Sequence, residues 1–300
     1  MKQESHLYKK INYKKFYDKN NPYMAYWQIS EKKYPKYYRN IKTIEYKNFK
    51  KKYYNNENTL SKKKLVKSLL SGDIYILKNA ITKQITEKIK KYTITKKFKK
   101  KKFSFHKIVD GVPNFSRYID QSLANKYAFL QVKMTSYYFP FNEKNEKLKI
   151  YKIVYPLWRV IKHISGFKFN ELEKNIPSDG IIDRLQVVRY PLNEGYLEPH
   201  TDPHGFQKFF ISIYLSKKGK DFQNGGFYSY KNKNRCTDIE NKIDIGDLCF
   251  GMATIKHEVK IATGNGIYRN SDLRSGRWFV GLYTTETNYV KKRRTSSKAK

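Results

Sequence analysis

The sequence predicts a mainly β protein with flanking helices: a jelly roll of two packed sheets behind a helical support. Two observations predict it. Between residues 179 and 290, short runs of branched and aromatic residues alternate with Gly, Pro, Asn and Asp turn signals, and no helix-period segment intervenes. Helix-period spacing is confined to earlier residues, as in Ile81, Ile85 and Ile89 or Leu157, Trp158 and Ile161. The expected organisation is a basic, Tyr- and Lys-rich segment over 1–60, a strand and helical support over 61–178, a β core over 179–290 and a basic tail over 291–300.

Residues 1–60 are polar and lack a clear period, so they are expected to be partly irregular. Ile74 to Lys78 reads as a strand, and a helix is expected to start near Thr82. Residues 115–175 read as mainly helical, with a strand-like stretch from Phe129 to Met134 and a helical run from Tyr155 to Ile164 that carries His163 as a packing residue. In the core, Arg184 to Tyr190 is a strand, residues 191–195 a turn, and Phe209 to Leu215 a second apolar strand. Gly225-Gly226 punctuates before Phe227 to Tyr230, a Gly246-Asp247 turn precedes Leu248 to Phe250, and Arg277 to Thr284 closes the set.

His200-Thr201-Asp202 puts an imidazole and a carboxylate two residues apart, so both leave the same face of an extended strand, which the motif is expected to open. His257 in His257-Glu258-Val259 supplies a second imidazole from a distant strand. Two His and one carboxylate on one face of an ion leave its opposite face open, the arrangement of non-haem Fe(II) oxygen chemistry. An isolated His-x-Asp is usually a turn or a surface strand; the surrounding strand order makes this one a ligand pair. His204 shares the parity, but Pro203 breaks the strand before it, and a solvent-facing or supporting place is expected. His106 has no partner pattern. Asp247, in its Gly-Asp turn, reads as structural, and no side-chain nucleophile or general-base pair is evident.

From about Asp179 to Glu286 the chain resembles the 2-oxoglutarate- and Fe(II)-dependent oxygenases, most of all the prolyl-4-hydroxylase type. The matching elements stand in family order: Tyr190-Pro191 ten residues before His200, His200-x-Asp202, Ile213-Tyr214-Leu215, Gly225-Gly226, Gly246-Asp247, His257-Glu-Val and Arg277 opening a last strand. The resemblance implies a double-stranded β-helix with iron held by His200, Asp202 and His257. It implies Fe(II), 2-oxoglutarate and O2 as cofactors, with ascorbate as an accessory. Arg277 would hold the distal carboxylate of 2-oxoglutarate, since a guanidinium fork offers two charge-assisted hydrogen bonds at any relevant pH. Tyr214 and Tyr190 align with tyrosines that line the cosubstrate. Arg277 follows His257 by twenty positions, farther than in the family, so residues 263–276 read as an inserted loop whose Arg269 and Arg274 are rival anchors.

The expected activity is hydroxylation of an unactivated C–H bond of a small molecule or protein side chain, coupled to decarboxylation of 2-oxoglutarate to succinate and CO2. An oxidative nucleic-acid demethylase and a non-catalytic polyanion-binding jelly roll are the alternatives. The net charge of +37 suggests the latter, but its distribution argues against it. Residues 1–105 hold 30 Lys or Arg against 7 Asp or Glu, whereas residues 181–290 hold 15 against 12, so the core is nearly neutral. Only 11 of the 63 basic residues are Arg, the better group for planar recognition. Weak polyanion binding is therefore assigned only to flanking runs at Lys96 to Lys102, Phe49 to Tyr54 and Lys291 to Arg294. The first residues carry no apolar stretch of the signal-peptide kind, no segment reaches membrane-spanning length, and Cys236 and Cys249 are not spaced as metal ligands. A cytoplasmic location is expected, with the nucleus as the alternative that the basic tail offers.

Overall fold

A computed structural model describes residues 8–30, 34–96, 107–126, 129–264 and 273–299. Among these residues one thirteen-stranded sheet folds back on itself at β4 (Gln131–Tyr138). The second half of β4 pairs antiparallel with β5 (Ile181–Tyr190), while Gln131 and Val132 pair with β6 (Tyr196–Thr201). The larger leaf runs β1 (Ile41–Glu45), β2 (Ile74–Lys78), β10 (Leu248–Met252), β7 (Phe209–Tyr214), β12 (Arg277–Glu286), β5, β4, with β3 (Phe115–Ile119) also on β4. The smaller leaf runs β6, β11 (His257–Thr263), β8 (Asn224–Tyr230), β9 (Cys236–Asp238), and β13 (Ser297–Lys298) pairs with β6.

The leaves face each other across Val188, Tyr190 and Phe279 from the larger one and Leu197 and Val259 from the smaller. Alternate residues of β5, including Leu185 and Val187, point outward into the main core. There the helices α1 (Met24–Ser30), α2 (Tyr46–Tyr53), α3 (Thr59–Leu70), α4 (Lys83–Thr95) and α5 (Ile150–Ile164) buttress the larger leaf. Val154, Trp158 and Ile161 of α5 recur at helical spacing and are buried in that core. Thr82 caps α4, its side-chain oxygen accepting the Ile85 N–H.

Two expectations change and one gains detail. The segment 1–60 is partly irregular, but its described residues also form α1, α2, the start of α3 and the edge strand β1, held by tertiary burial of Trp27 and Phe49 rather than by any period in the sequence. Residues 115–175 contribute two strands beside α5: β4 overlaps the strand-like stretch expected at Phe129 to Met134 and runs on to Tyr138, whereas β3 was not expected, its inward Arg117 breaking the apolar alternation that would announce it. Finally, β6 starts at Tyr196, so His200 lies near its end instead of opening it. Pro199 does not interrupt that strand: its carbonyl accepts the Ala299 N–H from the tail.

Two glycines set the geometry near the site. Gly276 has φ +95°, and a Cβ there would lie 2.4 Å from the Tyr190 carbonyl oxygen. This close approach lets β12 begin with Arg277 directly opposite Tyr190. At Gly225 a Cβ would fall 1.9 Å from the Ile261 carbonyl oxygen, where β8 and β11 meet.

Candidate metal centre

His200 on β6 is the register partner of His257 on β11, so neighbouring strands deliver both rings to the same spot between the leaves. Asp202 follows β6 with its side chain on the same side, and its N–H donates to the Ala253 carbonyl. The three buried side chains each offer a ligand atom, all within 4.8 Å of one another. His200 Nε2 is 4.0 Å from Asp202 Oδ1, and His257 Nε2 is 3.8 Å from Oδ2. These gaps are too long for hydrogen bonds, yet within the roughly 4.2 Å that two ligands each about 2.1 Å from a common ion can span at most.

The protonation pattern suits metal binding. His200 Nδ1 lies 2.8 Å from the Glu198 carbonyl and His257 Nδ1 2.8 Å from that of Ile255. A carbonyl only accepts, so both Nδ1 atoms carry the proton, leaving the lone pairs on the converging Nε2 atoms. Burial, and next the His257 ring, push His200 down to about 3, keeping it neutral at pH 7. Phe129 stacks on the His200 ring at 5.0 Å, while Phe210 and Phe227 pack on His257, which fixes both ring planes. Asp202 Oδ1 accepts from the Ser296 hydroxyl at 2.6 Å, and Oδ2 is buried with no hydrogen-bond partner. An orphaned buried carboxylate oxygen facing two imidazole lone pairs is a donor set that fits a divalent cation.

Deeper between the leaves, Arg277 is 1% exposed. Its Nε donates to Glu240 Oε2 at 2.9 Å, its guanidinium lies 4.9–5.5 Å from the Phe279, Tyr214 and Tyr190 rings, and its Nη1 is buried without a partner. Burial lowers this group, but Glu240, Tyr214 and Tyr190 together more than offset that and hold it above its ordinary range. Burial raises the Tyr190 and Tyr214 hydroxyls, so both stay protonated donors. Tyr190 lies close enough to both Arg277 and Asp202 to feel their charges, so it lies between the two sites. Arg274 is exposed on the turn before β12, and Arg269 lies outside the described residues.

The other singled-out residues lie elsewhere. His204 is exposed, edge-on to Tyr34 at 5.0 Å, and His163 packs against Tyr23 and Tyr54. His106 lies outside the described residues. Asp247 accepts the Asn79 and Asp244 N–H groups and pairs with Lys78, a turn staple on the outer side of the larger leaf. Some described residues of the basic runs are engaged within the fold. Lys50 and Lys52 cover the Tyr54 and Tyr53 rings, Lys96 pairs with Glu146, and Arg294 pairs with Glu286; Lys97 to Lys102 lie outside the described residues. Among the described residues no helix is long and apolar enough to cross a membrane. Sequence reasoning missed Glu240 and Ser296, which hold Arg277 and Asp202 from a short turn and from the tail, and neither carries a spacing signal.

No protein-family model and no curated protein matches the sequence. Solved structures do. A full-length Neurospora crassa protein in complex with alpha-KG is 11% identical, covers 83% of this chain and 85% of its own, and superposes with a TM-score of 0.50. A Pseudomonas putida prolyl-4-hydroxylase is 11% identical over 70% of this chain and 90% of its own, with a TM-score of 0.42. A Burkholderia pseudomallei oxidoreductase of the 2OG-Fe(II) oxygenase family is 11% identical over 73% and 88%, with a TM-score of 0.39. The chain thus shares its fold, a mainly β jelly roll with flanking helices, with the Neurospora crassa protein solved with alpha-KG.

Proposed function

We propose that this chain is a 2-oxoglutarate- and Fe(II)-dependent dioxygenase that hydroxylates a C–H bond of a small molecule or a protein side chain. One observation carries the reading: the Nε2 atoms of His200 and His257 and the carboxylate of Asp202 converge from separate strands, with both Nδ1 protons already committed to backbone carbonyls. His200, Asp202 and His257 would hold the iron. Arg277, with Nη1 still unpaired and Glu240 locking its Nε, would take the distal carboxylate of 2-oxoglutarate, and the protonated Tyr214 and Tyr190 hydroxyls would line the space between. When bound, the iron and its keto acid supply oxygen activation and decarboxylation of 2-oxoglutarate to succinate and CO2; the chain supplies ligand geometry, orientation and a dry enclosure.

The test is anaerobic addition of Fe(II) and 2-oxoglutarate to the full chain. A weak visible charge-transfer band is expected for the wild type and is lost in His200→Ala, together with succinate formation in air. Wild-type protein that binds neither Fe(II) nor 2-oxoglutarate, or a His200→Ala variant that still makes succinate, would overturn the reading.

A further inference from the structure

Strand register places a second group of cations on the inward face of the larger leaf. Arg184 is opposite Tyr283, Tyr137 opposite Gln186, Arg117 opposite Thr135 and Lys133 opposite Ile119. Val188 and Tyr190, which face the smaller leaf, fix the parity of β5, so Arg184 points inward with them. By pairing, Lys133 and Arg117 share that side. The group lies between an apolar plug that includes Ile182, Phe115 and Tyr137 and the metal-ligand triad. Arg117, Lys133 and Arg184 are half-buried, and Arg184 is so in a strand whose other residues are all closed off, so this part of the interior opens to solvent.

Two of these charges, Lys133 and Arg184, have no acid beside them among the described residues. Lys133 is close enough to feel Arg117, Arg184 and Asp202. Two fully buried cations nearby in the fold carry their own acid: Lys162 has Asp183 and Arg277 has Glu240. Among the described residues no carboxylate lies within 4.0 Å of Lys133 or Arg184, and Arg184 Nε is buried without a hydrogen-bond partner. Its guanidinium rests on the Tyr137 ring at 5.3 Å, which fixes its plane and leaves the fork edge available. Like charges gathered in a partly desolvated space cost stability unless an anion joins them.

We propose that the substrate carries a carboxylate or phosphate group that seats on Arg184 and Lys133, with Arg117 beside them, and so presents its C–H bond to the metal centre. This inference rests on the proposed oxygenase reading. It gives the interior two anion seats on opposite sides of the triad: Arg277 for the keto acid and Arg184 with Lys133 for the substrate. A planar guanidinium suits either oxyanion, and an ammonium adds charge without demanding geometry.

The test uses the full chain with Mn(II) in place of Fe(II) and saturating 2-oxoglutarate, with inorganic phosphate and acetate as separate probes. Paramagnetic relaxation of the phosphate phosphorus and of the acetate methyl protons reports an anion near the metal. At least one probe is expected to show saturable enhancement, weakened about tenfold or more in Arg184→Gln and in Lys133→Gln and partly restored in Arg184→Lys, which also serves as the folded control. The probe that saturates at the lower concentration tells phosphate from carboxylate. Enhancement that is absent, never saturates, survives both Gln variants or titrates away with rising 2-oxoglutarate overturns the inference while leaving the metal reading standing. Failure to bind Mn(II) at all overturns the metal reading, and the substrate seat falls with it.

Discussion

Arg277 and Arg184 point into the same interior from adjacent, paired strands, yet they stand in opposite surroundings. Arg277 is fully enclosed, bonded to Glu240, ringed by three aromatic side chains and held above its ordinary pKa. Arg184 is half-buried, has Tyr137 and Tyr283 but no acid beside it, and burial together with Arg117 puts it below its ordinary pKa. The difference teaches what pairing does. Glu240 takes one edge of Arg277 and orients the rest, so the protein carries much of the cost of burying that charge itself. At Arg184 no carboxylate takes that place among the described residues, which leaves the charge open to the anion proposed above.

The sharpest way to break the comparison is Glu240→Ala. It leaves the Arg277 guanidinium buried and uncompensated, and the Phe227 N–H, now 2.8 Å from the carboxylate, loses its acceptor. A loss of about 3–5 kcal/mol is expected in urea unfolding. The double variant Glu240→Ala/Arg277→Met is expected to be more stable than Glu240→Ala alone, because the stranded charge has gone. Equal losses in both would show that the pair matters through packing and not through charge.

A smaller effect is expected at the triad. The Ser296 hydroxyl fixes one oxygen of Asp202 from the C-terminal tail, while Lys298 pairs with His200 in the β13–β6 ladder. Ser296→Ala removes one hydrogen bond and no ligand, so Mn(II) affinity should fall about 10–100-fold, the usual range for groups that orient a metal ligand. The fold should be unaffected. An unchanged affinity by Mn(II) titration would mean that the backbone alone positions Asp202.

These two supporting residues mark where the sequence stops being readable. The His-x-Asp motif and His257 are legible because ligands on one strand must share parity, a constraint two residues long. β2 and the start of α4 were legible for similar reasons, an uninterrupted apolar run in one and a capping Thr82 in the other. Glu240 sits in a single 3-10 turn between β9 and β10, and Ser296 lies almost a hundred residues from Asp202; only the closed fold brings either to its partner. β3 was hidden because its inward positions include Arg117, where a buried strand would show an apolar side chain, whereas β4 was legible as far as Met134. The residue that obscured β3 is also part of the second cation group.

The last comparison is Arg184→Met. If Arg184 is a charge held ready for a ligand, it contributes little to the empty fold, and a flexible apolar side chain of similar reach keeps its contact with Tyr137. Stability should then stay level or rise by up to about 1 kcal/mol, the opposite sign from the Glu240 variant, since removing an unpaired, partly desolvated cation relieves a cost. Urea unfolding in low salt without added anions gives the cleanest reading, and phosphate should stabilise the wild type more than the variant through its binding to the folded state. A loss of more than about 1 kcal/mol would show that Arg184 already has its partner within the fold, and the two arginines would then differ only in exposure.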